Sequence, residues 1–216
     1  MNNVNPKKAN GPDLIPCRIL KEAAAEIAPF LKLLFTQSME SGIVPSDWLK
    51  ANITPVFKKG NKHLASNYCP MSLTAVPCKI LEHIIFHDIM SHLDSNNILV
   101  NSQHGLRRKF SCETQLISAI EELANALDDG KQSDLIIMDF SKAFDVVPHQ
   151  RLVNKLDYYG IRRHLKRWLT NWLIHREQSV VVDSASSCPV YVSSGVPQGT
   201  VLGPLMFLLY TCCNCK

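Results

Sequence analysis

Four consecutive apolar residues, Leu135-Ile136-Ile137-Met138, run directly into the acid of Asp139-Phe140-Ser141-Lys142-Ala143-Phe144-Asp145. An apolar run of this length is the pattern expected of a buried strand. A carboxylate at the end of such a strand needs a partner, because an unpaired buried acid is costly, or else it serves as a metal ligand. Read alone, Asp139 fits the cap of a turn as well as a ligand.

The rest of the chain alternates helical periods with short extended runs. Ile15, Ile19, Leu20, Ala23 and Ile27 recur at helical spacing after Gly11-Pro12-Asp13, and Pro29 should break or restart that helix before Leu31, Leu34, Phe35 and Met39 carry a second one to Gly42. Residues 51–57 read as extended, residues 76–93 as a long helix, and Leu116, Ile120, Leu123 and Leu127 mark one face of a helix from Ser111 to Gly130. Pro148 suits the first turn of a helix that brings Leu152, Leu156 and Tyr159 inward and stops at Gly160. Leu165, Trp168, Leu169, Trp172 and Leu173 predict another amphipathic helix, 178–183 and 190–192 two short strands, and 200–210 a last helix. The fold class is α+β, with helices in the first half and strands concentrated around Asp139 and Val181.

At 216 residues, 46% hydrophobic and 19% charged, the chain is long and apolar enough to build a core. The net charge of +4 permits a nucleic-acid partner without demanding one. The polar start Met1-Asn2-Asn3-Val4 is unlike a signal peptide, and the longest apolar stretch falls short of the roughly 20 residues of a membrane span. The expectation is an intracellular protein, nuclear or cytoplasmic, with scattered free thiols. A terminal Cys212-Cys213-x-Cys215 lacks the second pair that a structural zinc site needs, and the i, i+4 pair His83 and His87 lacks further ligands. Arg162, Arg163, Lys166 and Arg167 surround Trp168 and Trp172, a mixture that can bind nucleic acid. The helical phase instead makes the tryptophans core and the cations a solvated face.

Downstream of Asp139 stands Ser194-Gly195-Val196-Pro197-Gln198-Gly199-Thr200-Val201-Leu202-Gly203-Pro204. A glycine in such a loop permits close backbone approach, and the Gln198 amide can both donate and accept hydrogen bonds. Upstream stand Pro55-Val56-Phe57-Lys58-Lys59-Gly60, Asn67-Tyr68-Cys69-Pro70-Met71-Ser72-Leu73 and Gln103-His104-Gly105-Leu106-Arg107-Arg108-Lys109-Phe110-Ser111. Together these blocks, spanning residues 11–210, resemble the reverse transcriptase domain of non-LTR retrotransposons, an RNA-directed DNA polymerase.

The resemblance implies reverse transcriptase fingers and a partial palm of a right-hand polymerase. An N-terminal helical extension would occupy residues 1–50, the fingers 51–130, and the palm 131–216. It implies two-metal nucleotidyl transfer with Mg2+, in which carboxylates from different segments hold two ions about 4 Å apart. Asp139 would be the catalytic metal ligand, with the backbone carbonyl of Phe140 beside it. Lys58, Lys59, Phe144, Gln198 and Gly199 would face the deoxynucleotide, and Arg107, Arg108 and Lys109 the template strand. The partners implied are an RNA template and a DNA primer. Phe144 is equally compatible with core packing, and Lys58 and Lys59 with a solvated turn.

Two departures shape the expectation. Cys69 stands where the family places an arginine that grips the triphosphate, and a thiol cannot supply that bidentate charge. The family's second acidic motif, a Tyr-x-Asp-Asp hairpin after motif B, does not occur between Pro204 and Lys216. The domain is therefore expected to be C-terminally truncated and catalytically incompetent by itself. A non-catalytic nucleic-acid-binding remnant and a degraded copy without function stay open beside it.

Overall fold

The computed structural model describes residue 1 and residues 4–107 and 109–212. Arg108 of the basic loop, and Cys213 and Cys215 of the terminal cysteine group, lie outside the described residues.

Pro16, with its φ fixed at −67°, precedes α1 (Cys17–Glu22). The expected break at Pro29 falls earlier. Ala23 leaves helical geometry at φ −99° and ψ 32°, and α2 (Ala24–Ser41) then runs through Pro29 to Gly42, whose φ of 68° gives a left-handed cap. Beyond it lie β1 (Lys50–Phe57) and β2 (Tyr68–Thr74), paired antiparallel from Ala51↔Thr74 to Phe57↔Tyr68. Pro55 and Pro70 face each other in this ladder. Both are tolerated because β2 is an edge strand and β1 pairs on its other side only from Lys50 to Ile53, before Pro55 is reached.

Four helices make the main core: α3 (Val76–Ser95), α5 (His149–Tyr158), α6 (Arg163–Ile174) and α7 (Leu202–Thr211). Their inward stripes supply Leu81, Ile85, Ile89 and Leu93, then Leu152 and Leu156, then Trp168 and Trp172, then Leu202, Leu205 and Leu208, all buried. The two tryptophans are fully buried, as the helical phase of α6 required. Between α6 and α7 come β3 (Glu177–Val182), β4 (Ala185–Ser186) and β5 (Val190–Tyr191). The sheet runs β2-β1-β3-β4, with β5 also on β3, and β1 joins β3 in parallel. One sheet thus ties the segment after residue 50 to the segment after residue 176. Among the described residues no helix is long and apolar enough to cross a membrane.

The strand expected at 135–138 is not formed. Residues 131–140 have no regular structure, and Ile136 and Ile137 are 81% and 84% exposed. A strand exists only through neighbours that take its N–H and C=O groups, and the ladders here involve β1 to β5 alone among the described residues. The same holds for α4 (Cys112–Asp128). Its ends are well specified, with Ser111 and Thr114 forming a reciprocal capping box, yet it buries none of its residues, and Leu127 is 72% exposed. Local sequence sets that helix; no packing partner covers its apolar face among the described residues.

This geometry predicts that backbone amides of 133–140 exchange with deuterium far faster than those of 51–57. Ile137→Lys should change the unfolding free energy by less than about 0.5 kcal/mol, as at other exposed positions. A loss of about 2 kcal/mol or more in a urea melt would instead mean that the segment is buried.

Candidate functional site

The Gly195 to Gly203 loop is fastened to two other segments by its backbone. On one side Gly195 N donates to Val147 O at 2.8 Å, Val196 N to Phe144 O at 2.8 Å, and Ser194 Oγ to Asp145 O at 3.1 Å. His149 reaches the Gly195 carbonyl at 2.8 Å. On the other side Ser72 N, in β2, donates to Gln198 O at 2.7 Å. Gly199 has φ +96°, and a Cβ there would lie 2.7 Å from Ser72 O. Its glycine is required by this contact with β2 as well as by its left-handed backbone. Gly195 has φ +89°, and its Cβ would strike Asp145 O at 2.7 Å.

These contacts draw residues far apart in sequence into one line. The Cys69 thiol donates to Gln198 Oε1 at 3.0 Å, and Gln198 Nε2 donates to Asp145 Oδ1 at 3.4 Å. Beside that line β1, β2, Glu177 to Gln178 and the loop enclose a cleft of about 300 Å³. Asp145 thus orients the Gln198 amide. Phe144 stacks on Phe207 of α7 with ring centroids 4.5 Å apart, so its ring packs against the core.

The other sequence-derived residues are not gathered there. Asp139 and Phe140 lie in the exposed 131–140 segment, Phe140 at 70% exposure. Lys58 and Lys59 follow β1, exposed, with Lys58 N bonded to Asn67 O. Arg107 is spent largely on its own loop: Nη1 donates to Val100 O at 2.9 Å and the guanidinium lies 4.5 Å from the Phe110 ring. Lys109 is exposed and holds φ 70°, a conformation that favours glycine. Among the described residues no three His, Cys, Asp or Glu side chains converge to hold a metal ion. Asp139 with one neighbouring carbonyl therefore does not match the donor set of a magnesium pair, which needs carboxylates from separate segments.

Sequence reading missed Glu82. It is fully buried in α3. Its Oε2 accepts from Val201 N at 2.8 Å and Leu202 N at 3.2 Å, the amides opening α7. Its Oε1 accepts from Trp172 Nε1 at 3.3 Å and the Cys78 thiol at 3.4 Å. The positive end of α7 favours a carboxylate at this point. Arg176, also buried, lies with its guanidinium 5.1 Å from the Trp172 ring and supplies the compensating charge. Burial lowers the Arg176 pKa and Glu82 opposes that shift, while burial and then Glu82 push the Cys78 thiol well up. Among the described residues Nη1 and Nη2 of Arg176 have no hydrogen-bond acceptor. The readable signal was an acid on the buried stripe Cys78, Glu82, Ile85, Ile89, where an apolar residue is expected.

Comparison with known proteins adds a second line. Residues 56–212 match the family model described as reverse transcriptase (RNA-dependent DNA polymerase). The chain is 28% identical over 212 residues to the "Probable RNA-directed DNA polymerase from transposon BS" of Drosophila melanogaster, covering 95% of this chain and 23% of that protein. It is 27% identical over 212 residues to the RNA-directed DNA polymerase from mobile element jockey of Drosophila funebris, covering 98% of this chain and 23% of the relative. A retrovirus-related Pol polyprotein of the type-1 element R2 from Popillia japonica is 23% identical over 167 residues, 77% of this chain and 23% of that one. The chain thus spans under a quarter of the length of these curated relatives.

Removing one partner from the arrangement around Glu82 tests it. Glu82→Leu leaves Arg176 as an uncompensated buried charge and strips two donors at the start of α7, at a cost of about 3–5 kcal/mol. Glu82→Gln, which keeps the acceptor oxygen, should cost less. Urea melts in which Glu82→Leu loses under about 1 kcal/mol would show that the carboxylate is dispensable.

Proposed function

The chain belongs to the reverse transcriptase family, as a domain of the non-LTR retrotransposon kind, and on that premise we propose that it forms the nucleotide- and template-facing part of a polymerase rather than a complete active site. Residues 1–50 are the helical extension, 51–130 the fingers and 131–216 part of the palm. The substrates are an RNA template, a DNA primer and deoxynucleotides. The observation that carries the reading is the line Cys69–Gln198–Asp145, with Gly199 packed on β2, because it joins the finger strands to the Pro-Gln-Gly loop as a nucleotide cleft requires.

In this reading Gln198 and Gly199 meet the incoming nucleotide, Phe144 lies beside its sugar, and Lys58 and Lys59 approach its phosphates from the end of β1. Arg107, Arg108 and Lys109 border the template. Asp139 and the Phe140 carbonyl are the family's metal-side groups. The family's chemistry is RNA-templated DNA synthesis through a pair of divalent ions, which activate the attacking hydroxyl and stabilise the leaving group. The residues described here do not assemble that pair, so binding surface and chemistry separate in this chain.

The substitution at Cys69 supports the same separation. The thiol satisfies Gln198 Oε1, but it carries no fork for phosphate oxygens. A binding surface without polymerase activity therefore describes the 216-residue chain better than a working enzyme does.

Purified chain supplied with primed RNA, deoxynucleotides and magnesium is expected to incorporate no nucleotide. Incorporation that Asp139→Ala abolishes would overturn that expectation. Cys69→Arg should tighten deoxynucleoside triphosphate binding about tenfold, or about 1.4 kcal/mol, the scale of one added charge-assisted contact. Unchanged affinity in a fluorescence titration would remove Cys69 from the nucleotide site.

A further inference from the structure

The cations of α6 are not spread evenly around the helix. Arg163, Lys166, Arg167, Thr170 and Asn171 follow the i, i+3, i+4, i+7, i+8 spacing, while Trp168, Leu169, Trp172 and Leu173 fill the buried side. The polar stripe borders the end of α2, and with Ser41, Gly42 and Ile43 it encloses a cleft of about 450 Å³. No carboxylate lines this cleft, and it shares no lining residue with the cleft beside Gln198.

The stripe is held in place by contacts that leave charge available. Gly42, at φ +68°, has no side chain, and a Cβ there would lie 2.3 Å from Arg167 Nε, so Arg167 rests directly on the turn. Its Nη2 donates to Glu40 O at 2.9 Å, near the end of α2, and lies 3.0 Å from His164 Nδ1. Nε and Nη1 have no protein acceptor among the described residues. Asn171 Oδ1 accepts from Val44 N at 2.9 Å and pins the α2–β1 connection to α6. Lys166 is paired with Asp157, whereas Arg162 and Arg163 are exposed and form no ion pair among the described residues.

We propose that this α2–α6 cleft is a second contact for a nucleic-acid strand, receiving its phosphodiester groups. A guanidinium fixed in advance loses little freedom on binding, and its Nε and Nη1 hydrogens can donate to phosphate oxygens as charge-assisted bonds. An acidic protein segment is the weaker match, because protein interfaces depend on buried aromatic or aliphatic anchors and the cleft offers Ile43 alone. The contact extends the proposed function and is independent of the template loop, since the two surfaces are separate side-chain groups.

The test measures binding of a fluorescent single-stranded RNA to the full chain by anisotropy across a salt series. Arg163→Gln with Arg167→Gln should weaken binding several-fold at low salt and flatten the log–log salt slope by about 1.4, the loss of two phosphate contacts on a single strand. Arg163→Lys, which keeps the charge, should leave that slope unchanged. Thermal melts of these exposed-site variants should match the parent, so a loss of binding cannot be a loss of folding. The loop pair Arg107→Gln with Lys109→Gln is measured beside them. An unchanged slope in the α6 pair with a reduced one in the loop pair overturns the cleft and leaves the template reading standing. The reverse result overturns the template loop and supports the cleft. No binding by the parent chain overturns both, and displacement of RNA by polyglutamate as effectively as by unlabelled RNA overturns the assignment to phosphate.

Discussion

The buried carboxylate of Glu82 is the constraint on which the placement of the Pro-Gln-Gly loop depends. It lies in α3, accepts the first amides of α7 and the indole of Trp172 in α6, and faces the charge of Arg176 just before β3. Three helices and the sheet therefore meet at one carboxyl group. Burying a carboxylate is costly unless hydrogen bonds and an opposite charge compensate it. Here both do, and the helix end contributes its partial positive charge. The interaction is more a device for orientation than a source of net stability, since an apolar replacement of the whole cluster could hold the core equally well but would not define where α7 begins.

From that fixed helix the loop reaches outward by close backbone contacts. Gly203 lies so near Pro197 O that a Cβ would stand 2.2 Å away, and Gly199 and Gly195 press against Ser72 and Asp145 in the same manner. The loop is thus compressed between β2 and the 144–149 segment, which leaves Gln198 little choice of position. Its side chain bridges Cys69 and Asp145 as a consequence. On the far side of α6, a separate cationic stripe is fixed by Gly42 and Glu40, so this helix turns its aromatic side to the core and its charge to solvent.

Much of this was legible beforehand. The helical spacing of Trp168, Leu169, Trp172 and Leu173 announced a buried stripe, Pro148 and Gly160 bracketed α5, and Ser111 marked the start of α4. The glycines of the 194–204 block announced tight backbone contacts, although their partners, Asp145 for Gly195, Ser72 of β2 for Gly199 and Pro197 for Gly203, are set by the fold. Three features were not legible. The apolar run before Asp139 looked like a strand but forms none here, because periodicity reports what a segment could bury and not whether neighbours exist to bury it. The break between the first two helices falls at Ala23 and not at Pro29, which stands sixth in α2 and is carried inside that helix. Glu82 and Arg176 stand too far apart in sequence for their charge pairing to be seen, even though an acid on an apolar stripe was itself a sign.

The sequence by itself determined most of the helices, the family and the kinds of side chain each motif offers, because these follow from local spacing and from motifs read residue by residue. Tertiary structure alone decided which of those residues meet. It joined Cys69, Gln198 and Asp145, placed Phe144 on Phe207, and left Asp139 on an exposed segment without a second carboxylate among the described residues. The physical reason is that pairing of strands, compensation of buried charge and convergence of ligands are relations between distant segments, and no single stretch of chain contains them.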